Sequence, residues 1–139
     1  MTEPAPDDQM TTLLRQTFRG SLAERMGIEI GEISRDRVTG TMPVDNNTQP
    51  YGLLHGGASC VLAESLASTG AAFHGWPDRS AVGIEISASH HRSATSGVVT
   101  GVATVLHAGR MLSAWQVEIS DDQGRRLCSA RVTCVLRES

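Results

Sequence analysis

Over residues 46–77, a run of 32, Glu64 is the only side chain with a formal charge at neutral pH. Its neighbours are small and apolar, among them Ala58, Leu62, Ala63, Leu66, Ala67 and Ala71. An ionised carboxylate in such company is costly unless it is paired, hydrogen-bonded or open to a water-filled cleft. One reading is a Glu on the solvent-facing side of a helix, since Glu is a good helix former. The other is a carboxylate kept for chemistry. Helical spacing puts Cys60, Glu64, Ser68 and Ala71 on one side, so Ser68 stands one turn on and can hydrogen-bond the carboxylate or a water beside it. An acid with a hydroxyl neighbour suits general-base or nucleophilic work.

Leu54-His55-Gly56-Gly57 lies just before this segment. Two glycines let the backbone pass close to a ligand, and the N–H groups of a first helical turn point outward with the positive end of the helix dipole behind them. Such a corner can hold an oxyanion. Ordinary loop chemistry explains a Gly-Gly pair equally well, and His55 is either a structural hydrogen-bonder or a participant. Glu64 comes seven residues after Gly57, about 10 Å along the helix axis, whereas one carbonyl needs each group within about 3 Å. If a helix start from one subunit meets the middle of its partner's helix, the two groups come together, so the spacing predicts a dimer with shared sites.

The elements that must position these groups follow from pattern. Residues 1–10, acidic and Pro-rich where a secretory signal would be basic and then apolar, read as a disordered lead-in to one domain over 11–139. Residues 11–19 carry Leu13, Leu14 and Phe18 at helical spacing, and Ser21 with Glu24 three positions on offers an N-cap: two short helices, or one broken at Gly20. Strands are expected over 26–35 and 38–44, then a turn-rich loop over 45–54 and a helix of about five turns, roughly 25 Å, over 57–74. Four more strands follow over 81–91, 97–107, 111–120 and 126–136, with Trp115, Val117 and Ile119 on one face and a hairpin turn at Asp121-Asp122-Gln123-Gly124. One long apolar helix beside so many antiparallel strands predicts an α+β fold in which the sheet wraps around that helix.

Composition narrows the function classes. The 139 residues carry a net charge of −3, and all 12 basic residues are Arg, scattered from Arg15 to Arg137, which is no nucleic-acid footprint. The longest weakly charged stretch, 58–73, is shorter than the ~18 apolar residues of a membrane span and holds Glu64, so no membrane helix is expected. Cys60, Cys128 and Cys134 match neither a zinc site nor a redox pair, which argues for reduced thiols packed in a cytoplasmic protein. His74, His91 and His107 lack metal-ligand spacing and read as surface or loop residues; no metal site is expected.

The run Gln49-Pro50-Tyr51-Gly52-Leu53-Leu54-His55-Gly56-Gly57, then Glu64 and Ser68, resembles the signature of hotdog-fold acyl-CoA thioesterases. The subgroup it is most similar to holds phenylacetate-pathway and type II 4-hydroxybenzoyl-CoA thioesterases, with the dihydroxynaphthoyl-CoA and enterobactin-pathway proofreading enzymes. The likeness continues through Gly83-Ile84-Glu85-Ile86, Ser89-His90-His91-Arg92-Ser93-Ala94, Leu106-His107-Ala108-Gly109-Arg110 and Trp115-Gln116-Val117-Glu118-Ile119, covering most of the chain after about Thr12.

The resemblance implies a hotdog fold and hydrolysis of an acyl- or aryl-CoA thioester to free acid and coenzyme A. It implies that Glu64 attacks the carbonyl or activates water, that the Gly56 N–H polarises the carbonyl oxygen, that Gln49 orients the carbonyl or water, and that Ser68 assists Glu64. His55 matches a positioning residue beside the oxyanion donor, and His90 a residue of the acyl or pantetheine pocket. Arg92, Ser93, Gly109 and Arg110 are the candidates for the coenzyme A phosphates and pantetheine, against the alternative of solvated surface residues. No cofactor is implied beyond the coenzyme A of the substrate, and the partner is a second copy of the chain, as a homodimer or a dimer of dimers (homotetramer). Met111, Leu112 and Phe73 stand where the aryl pocket varies in such families, so the acyl group stays open. A non-catalytic acyl-CoA-binding hotdog module would not need Glu64, Gln49 and Ser68 together, and a hotdog hydratase would carry a different loop after the His.

Overall fold

The computed structural model describes residues 6–139. Helices α1 (Pro6–Gln16) and α2 (Leu22–Arg25) lead into β1 (Glu29–Ile33), β2 (Arg37–Pro43), α3 (Gly56–Gly75), β3 (Arg79–His90), β4 (Val98–Ala108), β5 (Leu112–Ser120) and β6 (Arg126–Glu138). The lead-in expected to be disordered over 1–10 is helical from Pro6, and residues 1–5 lie outside the described ones. Proline at the first helical position followed by acidic residues is a favourable helix start. Met10 and Leu14, one turn apart, bury themselves against Phe73 near the far end of α3, which gives α1 its reason to extend back. Ser21 caps α2 by accepting the Glu24 N–H at 3.2 Å, and the Glu24 carboxylate accepts the Gly20 N–H.

All six strands are antiparallel, in the order β1-β2-β4-β5-β6-β3. β3 therefore does not pair with β4, its successor in sequence; it crosses to β6 and forms an edge of the sheet. Inward positions alternate as strand geometry demands, with Trp115, Val117 and Ile119 from β5 and Val132 and Cys134 from β6 fully buried. α3 fills the concave face. Its 20 residues, about 30 Å of helix, are apolar around most of the circumference, the signature of a buried helix.

Glycines let the helix come close to the sheet. Gly40 of β2 and Gly101 of β4 are register partners, and a β-carbon on either would stand 2.7 Å from a methyl of Leu66. Gly70 leaves room for the Trp115 indole, whose Cζ2 would be 2.6 Å from a β-carbon there and whose Nε1–H donates to Ser113 Oγ at 2.6 Å. His74, expected at the surface or in a loop, instead ends α3 half-buried, its ring 5.4 Å from that of Trp115 and its Nε2 against the Arg35 carbonyl. No helix among the described residues is long and apolar enough to cross a membrane, and the three cysteines are free.

Candidate active site

Glu64 sits in the middle of α3, half-buried, over β3. Among the described residues its carboxylate has no hydrogen bond or ion pair. It opens into a cleft of about 470 Å3 walled by Leu14, Phe18 and Leu22 from the N-terminal helical region, Val61, Ser65, Ser68 and Thr69 from α3, and Ala81 from β3. Ser68 stands one turn beyond Glu64, yet its hydroxyl lies 3.9 Å from Cys134 Sγ rather than on the carboxylate. The negative charge is felt by the thiols beside it. Burial pushes the Cys60 thiol up, with the Glu64 carboxylate adding to the effect. Cys134 is raised by burial against the Ser68 hydrogen bond, and again Glu64 contributes.

The start of α3 forms a second site. His55 is its N-cap, with φ −67° and ψ 130°, and its Nδ1 accepts the Gly57 N–H at 2.8 Å. That bond fixes Nδ1 as the acceptor nitrogen of the ring. The Ala58 and Ser59 N–H groups return to the His55 carbonyl at 2.9 and 3.3 Å. The Gly56 N–H is left with no acceptor among the described residues, an orphan donor at the positive end of the helix. His90, the last residue of β3, packs against Gly56, where a β-carbon would be 2.8 Å from His90 Nε2. Together Gln49, Gly56, Ser59, His90, Arg92 and Ser93 line a cleft of about 370 Å3. The Gln49 side-chain oxygen accepts the Tyr51 N–H, which holds the amide in the turn facing this cleft.

The structure thus brings together Gln49, Gly56, His90, Arg92 and Ser93, with His55 as their cap, and puts Glu64 and Ser68 in the other cleft. The two centres are eight residues apart along one helix, about 12 Å. Gly109 and Arg110 join neither cleft. They turn the β4–β5 hairpin, where the Gly109 N–H donates to the Leu112 carbonyl at 2.8 Å and the Arg110 carbonyl accepts from Arg79. Sequence reasoning missed the part of the N-terminal helices in walling the Glu64 cleft, because Leu14 and Phe18 show only a local apolar stripe. No three His, Cys, Asp or Glu side chains among the described residues converge as metal ligands would.

Residues 51–128 match the thioesterase superfamily. The chain belongs to that family. It is 47% identical over 121 residues to the proofreading thioesterase EntH of Cronobacter turicensis, a match covering 86% of this chain and 88% of the relative. Identity to the 1,4-dihydroxy-2-naphthoyl-CoA hydrolase of Escherichia coli is 45% over 118 residues, 84% of this chain and 87% of that one. A solved thioesterase from Haemophilus influenzae superposes with a TM-score of 0.85 at 36% identity, over 90% of this chain and 88% of the other. The sheet wrapped on one central helix is the hotdog fold, and this superfamily member is a thioester hydrolase.

Proposed function

We propose that the chain hydrolyses an acyl-CoA thioester to the free acid and coenzyme A in a site completed by two copies of the chain. The observation that carries this reading is the separation along α3: an unpartnered carboxylate stands in one cleft and an orphan N–H in the other. A reacting carbonyl needs base and oxyanion donor each within about 3 Å, which about 12 Å of helix does not permit. The exposed edge of β3 supports a two-fold partner, with Val82 and Ile84 41% and 57% exposed. β3 carries Gly83, beside Glu64, near its start and His90, against Gly56, at its end. Antiparallel pairing of two such edges sets the Glu64 end of one copy beside the Gly56 end of the other.

In this reading the thioester oxygen accepts the Gly56 N–H of one copy, with the helix dipole behind it. Glu64 of the other copy takes a proton from a water whose oxygen bonds to the carbonyl carbon. The C–S bond then breaks, and the departing thiolate takes up the proton to give coenzyme A, which is thus part of the substrate. The same carboxylate also suits direct attack, through an anhydride that water opens. Gln49 orients the carbonyl or the water, Ser68 supports Glu64, and His55 holds the helix start. His90 lines the pocket, and Arg92 and Ser93 face the phosphates and pantetheine. The free thiols support a cytoplasmic setting.

Thiol release from a panel of aromatic, short-chain and long-chain acyl-CoAs, run on wild type and Glu64→Gln in parallel, tests this. The variant is expected to lose about 10²–10⁴-fold in turnover while remaining a dimer. Wild-type turnover in Glu64→Gln removes the carboxylate from the mechanism.

A further inference from the structure

The proposed reaction needs the Glu64 carboxylate to keep one place, although it makes no hydrogen bond among the described residues. What it rests on is a glycine. A β-carbon built on Gly83 of β3 would overlap Glu64 Oε1 and stand 3.3 Å from Cδ and 3.4 Å from Cγ, and these three atoms are its nearest neighbours. The backbone does not ask for glycine there. Positive φ occurs at Gly20, Gly27, Gly52, Gly97 and Gly124, and not at Gly83. Inside a strand a glycine weakens the element, and it often marks a close approach.

Two further features surround this contact. Gly83 pairs in register with Cys134 of β6, the residue against which Ser68 rests, so Glu64 and Ser68 lie over one rung of the sheet. The register then shifts between Gly83 and Glu85, leaving Ile84 as an extra residue. A bulge of this kind re-aims the side chains around it and is common next to active sites.

We infer that Gly83 is a positioning residue for Glu64: the empty place of its side chain is a seat that sets where the carboxylate stands. The inference rests on the reading of Glu64 as the catalytic carboxylate. A methyl at position 83 displaces the carboxylate by about 1 Å, and a misplacement of that size costs about 10²-fold in rate.

Gly83→Ala is therefore expected to lower kcat by about 10²-fold while KM stays within about 3-fold. A melting cycle with Glu64→Ala reads the seat without using activity. Gly83→Ala lowers Tm when Glu64 is present, and leaves it unchanged or raises it in the Glu64→Ala background, where the methyl enters vacated space. Should Gly83→Ala alone not fold, the double variant is expected to fold. Wild-type kcat in Gly83→Ala, an equal loss of Tm in both backgrounds, or a double variant that does not fold each overturns the inference. The reading of Glu64 fails by a separate result, wild-type turnover in Glu64→Ala, whatever the melting cycle gives.

Discussion

Burial governs the thiols of this protein. Cys128, fully enclosed in β6, has its pKa pushed up to about 11, by burial first and then by the nearby Cys60 and Glu118. The ordinary thiol value is 9.0, so between about pH 9 and pH 11 the unfolded chain has released a proton that the folded chain keeps. The unfolded state then binds fewer protons, and stability falls as pH rises through that window. Denaturant midpoints are expected to drop from about pH 8.5 to about pH 10.5, and the drop should shrink in Cys128→Ala; an undiminished slope in that variant would assign it to other groups. Glu64 was legible at this scale because nothing else in its segment is charged. Gly83 was not, since a glycine in a strand shows its purpose only when the side chain above it is seen. Helical spacing sets Ser68 one turn from Glu64, but it does not reveal the Cys134 thiol toward which the hydroxyl turns.

At the scale of elements, the glycines of α3 and the sheet set how closely the two layers approach. Gly70 faces the Trp115 ring, a rigid indole anchored by Ser113, and so has little means of yielding. Gly70→Ala is expected to cost about 1–3 kcal/mol through overpacking, despite the better helix propensity of alanine, and thermal melting checks it. An unchanged or higher Tm would mean that Trp115 repacks freely. The helix and strands could be read from periodicity because their apolar faces are regular. The order of strands could not: β3 pairs with β6 across the whole C-terminal meander, and no local pattern encodes so long-range a partner. Periodicity likewise starts the first helix at residue 11 rather than at Pro6, for a related reason. Its start looks polar in sequence, and Met10 becomes a core residue only because Phe73 waits for it.

For the whole molecule, the prediction is complementation between copies. Each proposed site takes Glu64 from one subunit and the His90 and Gly56 corner from the other. Glu64→Gln mixed with His90→Ala, each strongly impaired alone, restores one intact site in every heterodimer; random exchange gives about a quarter of wild-type activity. Activity no higher than the sum of the separate variants would place the whole site in one chain. Light scattering on the same samples reports whether subunits have paired.

A last consequence follows from Leu66, whose two methyls rest on the Gly40–Gly101 pair. In the proposed two-copy arrangement, α3 is one rod whose start serves one reaction centre and whose middle serves the other. Sliding it lengthwise would carry the donor of the first and the base of the second by the same distance in the same direction. Leu66 acts as a pin in that rod, two residues from Glu64, and the glycine socket that receives it holds the proposed donor and base in one alignment.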